Sequence, residues 1–379
     1  MCGINGFNFS DPEALRRMHA ATRHRGPDDD GFFEADGISL AHNRLSIIDL
    51  SPLGRQPMTT ADGRFTIVFN GEIYNYKDVR ADLERDGVRF RSQSDTEVLL
   101  AAFARHGTAC LSKLNGIFAF AVWDRDTRTL TLARDHLGVK PLYYRWDGKR
   151  LMFSSEIKGI LVHRDVARQI DPESLNLYMR FLYVPGPRTM FAGIRKLQPG
   201  HALTVRTGEM KLTPFWEIKE GQSLPDGEIM DAVRSGVVGA VHRQLVSDRP
   251  LGVFLSGGID STLVLAAMRQ HATGDIKTFS IGYETTAEAE KYNADFDVAA
   301  RTAAHFATDH HAIRISGRDV AAVFEEVVRH MDEPVSNHVQ PSTYLLAKYA
   351  KPHITVALGG DGGDELLGGY DRYWYHAML

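Results

Sequence analysis

The feature that most constrains this chain is the stretch Gly252-Val253-Phe254-Leu255-Ser256-Gly257-Gly258-Ile259-Asp260-Ser261. An apolar run suited to a buried parallel strand breaks into Ser-Gly-Gly, and a helical pattern from Thr262 to His271 follows at once. Adjacent glycines let the backbone turn sharply and bring its N–H groups close to an anion. The helix N-terminus behind them adds partial positive charge, so the junction suits phosphate. No lysine follows the glycines, which excludes the nucleoside-triphosphatase loop. Asp260 inside such a loop makes electrostatic sense if Mg²⁺ lies between its carboxylate and phosphates. Local chemistry alone also allows a plain strand–turn–helix junction with Ser261 near the N-cap.

The rest of the second half repeats this logic. Strands are expected at 251–255, 277–282, 310–314 and 353–358, with helices near 228–245, 261–271, 294–306 and 319–331. That alternation predicts a parallel sheet covered on both faces. The last strand runs into Gly359-Gly360-Asp361-Gly362-Gly363-Asp364-Glu365, a second glycine-rich loop bearing acids. If its strand adjoins the first, both loops face one crevice, and Asp260 and Asp364 become candidate Mg²⁺ ligands. His310-His311 has no third ligand at useful spacing and is given no metal role.

The first half reads differently. Strand-like segments at 116–124, 129–134, 141–146 and 151–154 are joined by short turns, with helices near 76–86, 95–106 and 171–182. A layered core of antiparallel sheets with flanking helices is the expected packing. Cys2 would become the first residue if Met1 were removed, and would then carry its own base. A terminal α-amine titrates at about 7.7–8.0 and a thiol at about 8.5, so a proton can pass between them. Arg44 leads a short strand and could pair with a carboxylate. Asn70-Gly71 follows another strand, where it reads either as a hairpin turn or as an oxyanion hole made by the Asn70 amide and the Gly71 N–H. Ser94-Asp95-Thr96-Glu97 opens a helix and could be an imperfect capping box. The polar, punctuated run Lys219–Gly227 marks a boundary between the halves.

Five segments in order, Met1-Cys2-Gly3-Ile4, His24-Arg25-Gly26-Pro27-Asp28, Arg44-Leu45-Ser46-Ile47-Ile48-Asp49, Asn70-Gly71-Glu72-Ile73-Tyr74-Asn75 and Ser94-Asp95-Thr96-Glu97, carry a specific resemblance. Residues 1–212 resemble the class II glutamine amidotransferase domain, an N-terminal-nucleophile sandwich of two antiparallel sheets between helices. Residues 228–379, after a linker at 213–227, resemble the ATP-pyrophosphatase-like domain of glutamine-hydrolysing asparagine synthetases, a doubly wound parallel sheet. The resemblance implies Cys2 as nucleophile and Asn70 with Gly71 as oxyanion donors. It implies glutamine held by Arg44 at its α-carboxylate, and by Glu72 and Asp95 at its α-ammonium. It implies ATP contacts from Leu255, Ser256, Gly257, Gly258, Asp260, Ser261, Ile281, Gly359, Gly360 and Asp361, with Mg²⁺ on Asp260 and Asp364.

The implied reaction is glutamine-dependent amidation of an adenylated carboxylate, most naturally aspartate, with release of AMP and pyrophosphate. The alternatives are another carboxylate acceptor, such as a sugar uronate, a peptide or an antibiotic precursor, and a non-catalytic relative that keeps only the fold. Two departures stand out. Gly359 stands where relatives commonly have serine, and the family's C-terminal helical region is absent. The segment Asp371–Leu379, with Tyr373, Trp374, Tyr375, Met378 and Leu379, reads as a helix cut short, so an incomplete synthetase is expected.

Composition excludes other classes. A formal net charge of -4 gives no basic footprint for nucleic acid. The longest apolar run, Ile117–Trp123, is too short to span a bilayer, and no secretory signal is visible. Two cysteines make no disulfide framework, so a cytosolic protein is expected. The resemblance also allows a homodimer.

Overall fold

The computed structural model describes residues 1–219, 221, 223–272, 274–285 and 288–377, with the backbone alone at 289, 374, 376 and 377. The chain divides into two compact units. The first comprises Met1–Glu220 together with Met331–Ser336, and the second comprises Gly221–His330 and Asn337–Leu379.

Twelve strands of the first unit form two six-stranded sheets. The strands are β1 (Gly3–Phe7), β2 (Asp29–Ala35), β3 (Ile38–Arg44), β4 (Met58–Thr59), β5 (Phe65–Ile73), β6 (Gly116–Asp124), β7 (Thr129–Arg134), β8 (Tyr143–Trp146), β9 (Leu151–Ser154), β10 (Ile194–Lys196), β11 (His201–Arg206) and β12 (Glu209–Pro214). One sheet runs β10-β8-β9-β1-β3-β2 and the other β12-β11-β7-β6-β5-β4, and every pairing is antiparallel. Ile4, Leu40 and Phe153 of the first sheet pack on Val68, Ala121, Leu132 and Leu203 of the second in a single buried cluster. Alternation along each strand puts these side chains on the inner faces.

Helices cover the outer faces. On one side α1 (Pro12–Ala21) and α4 (Ile157–Leu161) set Leu15, Met18 and Ile160 against Phe7 and Met152. The start of α1 follows from its sequence, because Asp11 accepts from the Ala14 amide and Pro12 occupies the first turn. On the other side lie α2 (Tyr76–Arg85) and α3 (Asp95–His106), where Phe103 meets Phe65 and Phe120 edge-on. Ser94 caps α3 by accepting from the Thr96 and Glu97 amides. A fifth helix, α5 (Pro172–Phe181), follows. This is the expected sandwich. Helices α1 and α4 escape the sequence reading, which places no helix at either stretch.

The second unit alternates α6 (Asp226–Gln244), β13 (Leu251–Phe254), α7 (Ile259–His271), β14 (Lys277–Tyr283), α8 (Ala289–His305), β15 (Asp309–Ile315), α9 (Gly317–Met331), α10 (Gln340–Ala350), β16 (Val356–Leu358), α11 (Gly363–Leu367) and α12 (Asp371–Ala377). Its sheet is wholly parallel in the order β15-β14-β13-β16. Val253, Leu265, Met268 and Ala303 form the core on one face, and Phe279, Leu346, Ala350 and Ile354 form it on the other. Helix α10, not expected from the sequence, supplies that second face. The last strand is shorter than expected, since the Thr355 amide bonds the Pro250 carbonyl (3.0 Å) before the ladder begins. Tyr373 and Tyr375 are exposed, whereas Met378, Leu379 and the Trp374 side chain lie outside the described residues. No described helix is long and apolar enough to cross a membrane.

Phe153 is fully buried where the two sheets meet. Phe153→Ala is expected to cost about 3–5 kcal/mol in chemical denaturation; a cost under about 1 kcal/mol would contradict this packing.

Candidate functional site

In the first unit Cys2, Arg44, Asn70, Gly71, Glu72, Asp95 and Lys140 line one cavity. Cys2 sits immediately ahead of β1, with its sulfur 3.4 Å from the Leu45 amide and 3.6 Å from the Leu45 carbonyl. Its own carbonyl accepts from Arg25 Nε at 2.9 Å. Asn70 and Gly71 do not turn. They lie within β5, opposite Ala119 and Phe118 of β6. The β6 backbone approaches so closely that a Cβ at residue 71 would stand 2.1 Å from the Ile117 carbonyl oxygen. The position therefore requires glycine.

Asn70 is fully buried, yet neither its Oδ1 nor its Nδ2 has a hydrogen-bond partner among the described residues. Orphaned buried amide groups cost about 1–3 kcal/mol and are uncommon in native proteins. One that opens onto a cavity beside a thiol is placed to bond something that enters.

The cavity is electrostatically divided. Arg44 is anchored, donating to the Ser51 carbonyl at 3.1 Å and the Asp49 carbonyl at 2.5 Å, which leaves guanidinium donors for an anion. Opposite in charge are two acids. Burial, with the nearby Glu72 charge adding, pushes Asp95 up to about 7, against the amide of Ile73 that donates to it. Burial likewise raises Glu72, and the Lys140 cation opposes that rise. His42, under the β5 backbone, donates Nε2–H to the Phe69 carbonyl (3.0 Å), and burial brings it down to about 4, so it is neutral.

Behind the cavity runs a chain of buried charge within the same unit. Arg25 Nη1 meets Glu156 Oε1 at 2.8 Å, Lys158 Nζ meets Glu156 Oε2 at 2.8 Å, and Lys158 Nζ meets Asp332 Oδ1 at 2.9 Å. Asp332 also accepts from the Ile157 amide at 2.6 Å. Sequence reasoning found Cys2, Arg44, Asn70, Gly71, Glu72 and Asp95 and missed Lys140, Glu156 and this chain. Arg25 was visible only as part of the segment His24–Asp28.

The second unit holds a cavity of about 570 Å³ at the carboxyl ends of β13 and β16, a size suited to a small-molecule ligand. These strands are neighbours, and β14 lies on the other side of β13. The crevice therefore opens at the point where the order of the strands reverses. Leu255, Ser256, Gly258, Asp260, Ser261, Ile281, Gly359, Gly360, Asp361 and Asp364 line it. Gly257 does not. Its role is backbone geometry, with φ at +88° and the Asp295 carbonyl oxygen 2.2 Å from where a Cβ would be.

The Ser256 and Ser261 hydroxyls lie 3.0 Å apart and cross-tie the first loop. The loops touch: a Cβ on Gly360 would fall 2.7 Å from the Ser261 amide, and one on Gly363 would fall 2.5 Å from the Asp260 carboxyl carbon. No group of three or more His, Cys, Asp or Glu suited to a metal occurs among the described residues. Mg²⁺ is usually bound by one or two carboxylates plus substrate phosphates, and Asp260 with Asp364 fits that donor set. His310 is hydrogen-bonded to the Thr278 and Ser280 hydroxyls at 2.8 and 3.2 Å.

The sequence model of the family described as glutamine amidotransferase domain matches residues 1–216, and that described as asparagine synthase matches 232–379. Asparagine synthetase (glutamine-hydrolyzing) 1 of Bacillus subtilis is 38% identical over 98% of this chain and 59% of its own length. The protein of the same organism numbered 3 is 36% identical over 99% of this chain and 64% of its own. A relative from Methanocaldococcus jannaschii is 33% identical over 98% of this chain and 76% of its own length. The chain thus spans about three-fifths of the two Bacillus relatives.

Glu156 gives a pH test of the buried charges. Burial alone would raise its carboxyl, but His24, Lys158 and Arg25 outweigh burial and bring it down to about 2. An unfolded glutamate titrates at about 4.3. The contribution is present above that value and lost as pH falls toward 2. Thermal unfolding of the protein should therefore fall more steeply between about pH 4.5 and 2 than that of Glu156→Gln. Parallel curves would contradict the account.

Proposed function

Because the chain belongs to the glutamine-hydrolysing asparagine synthetase family, we propose that it hydrolyses glutamine at Cys2 and uses the ammonia to amidate an adenylated carboxylate, that of aspartate. The observation that carries the first half is Asn70, whose amide is buried and unpartnered in the cavity that Cys2 lines. Glutamine enters with its α-carboxylate toward Arg44 and its α-ammonium toward Glu72 and Asp95. Its side-chain amide then faces the sulfur.

The Cys2 thiolate attacks the amide carbon, and the oxygen takes up negative charge facing Asn70 Nδ2 and the Gly71 N–H. Such a donor is worth about 2.7–4 kcal/mol of barrier. Ammonia leaves carrying the proton taken from the thiol, and water releases glutamate from the thioester. On this reading the base is the α-amine of Cys2 itself, so active material starts at that residue.

In the second unit a carboxylate oxygen of aspartate bonds to the α-phosphorus of ATP as the bond to the β-phosphate bridge breaks. The loop Ser256–Ser261 and its helix N-terminus receive the pyrophosphate. Mg²⁺ held by Asp260 and Asp364 would neutralise the charge on the departing group. Ammonia then attacks the acyl carbon, AMP departs, and the amide remains.

Two substitutions test the division of labour. Cys2→Ala should abolish glutamate release from glutamine, leaving any pyrophosphate release that depends on aspartate, ATP and ammonium. Asp260→Asn should leave glutaminase activity and remove pyrophosphate release. Loss of both activities in either folded variant would overturn the two-site scheme. Pyrophosphate release undiminished in Asp260→Asn would reduce that residue to a loop cap.

A further inference from the structure

One charged group in the glutamine cavity has no task in the mechanism above. Lys140 is only 8% exposed, and its side chain lines the same cavity as Cys2, Asn70 and Glu72. Burying an ammonium is costly unless it is paired. The Lys140 ammonium makes no hydrogen bond or salt bridge among the described residues, so its charge acts on its neighbours through space.

The loop that carries it is held with unusual completeness. Asp135 accepts from the amides of Phe118, Leu137, Val139 and Lys140, at 3.1, 3.2, 2.9 and 2.9 Å. Arg134 donates to the carbonyls of Lys140, Leu197 and Gly138, at 2.8, 2.7 and 2.6 Å. Seven bonds thus fix the backbone from which the ammonium projects. A backbone so held, with its side chain almost wholly buried, restricts where the ammonium can go, as a positioning group requires.

From this geometry we propose that Lys140 is a positioning residue for glutamine: its fixed charge holds Glu72 as a carboxylate, ready to receive the substrate's α-ammonium. The proposal rests on the glutaminase reading above and deepens it. Acting without a salt bridge is essential to the role. A lysine in contact would occupy the Glu72 oxygens, whereas one at a distance stabilises the anion and leaves them free.

The surroundings agree. Glu72 faces burial that favours its neutral form, and Lys140 is the foremost charge opposing this, followed by the terminal amine. Lys140 in turn faces Glu72, Arg25, Cys2 and Asp135. Asp95 and Tyr74 also feel the Glu72 charge. Two carboxyls at one ammonium subsite disfavour joint ionisation, so a nearby cation is what the arrangement needs.

The test is the pH dependence of glutamine hydrolysis by the whole chain, its Lys140→Met and Lys140→Arg variants, and two substrates. The second substrate is 5-amino-5-oxopentanoate, the same amide lacking the α-ammonium. Lys140→Met should raise KM for glutamine about tenfold at neutral pH, the factor equivalent to a titration displaced by about one pH unit. It should lower kcat by less and move the acid limb of kcat/KM to higher pH. Its KM for the deaminated amide should change less than about twofold, and Lys140→Arg should restore both KM and the limb.

An acid limb that stays in place in folded Lys140→Met overturns the proposal. So does an equal loss with both amides, which would mean that Lys140 serves only the fold or the thiol. If Lys140→Met does not fold, a limb displaced in Lys140→Arg, with glutamine KM unlike that of the parent, also overturns it. Absence of glutamine hydrolysis by the parent chain would overturn the glutaminase reading itself, and this proposal with it.

Discussion

The first site depends on one guanidinium. Arg25 donates to the carbonyl of Cys2 and to Glu156, and so ties the residue bearing the thiol to the floor of the unit. A buried charge must be matched, and the match propagates. Arg25 needs Glu156, Glu156 is shared with His24 and Lys158, and Lys158 is completed by Asp332. Removing one partner from such a chain leaves another charge uncompensated, which is costly in a buried site.

The two cavities solve opposite electrostatic problems. On the proposed function the first receives a zwitterion, and it carries cations and anions at separate places and a neutral amide left unpartnered. The second is placed to receive a polyanion, and its tools are backbone N–H groups, a helix N-terminus and acids suited to a bridging divalent ion. Glycine serves both, for different reasons. At residue 71 it lets two strands approach, and at residue 257 it allows a left-handed backbone under the carbonyl of Asp295.

Much of this was legible in the sequence because it is local. Strand alternation gave β6 and β7, and the Ser-Gly-Gly break gave the start of α7. The second glycine-rich loop gave a shared crevice on the condition, met in the structure, that its strand adjoins the first. Asn70-Gly71 was ambiguous, because Asn-Gly ordinarily turns a hairpin. Only the pairing of β5 with β6 through residue 73 shows that the strand continues. Lys140 and Glu156 could not be read at all. What makes them members of the site is burial and the approach of residues far apart in the chain, and a single sequence records neither. Met331–Ser336 is the extreme case, since a segment flanked by helices of the second unit groups with the first. Helix α10 was lost for a simpler reason: its N-cap residue Val339 makes no side-chain cap bond and its apolar face is short, so Pro341 in the first turn is its one start signal.

The central claim is that Cys2 is a nucleophile poised for a glutamine side chain, and it can be read directly by mass. A glutamine analogue with a diazoketone in place of the amide should alkylate the chain once, on the cysteine at position 2. Cys110 should be spared, because burial pushes its thiol well up, to about 12. Excess glutamine should protect. Peptide mapping that finds the adduct on Cys110, or no adduct on folded protein at saturating analogue, would contradict the account.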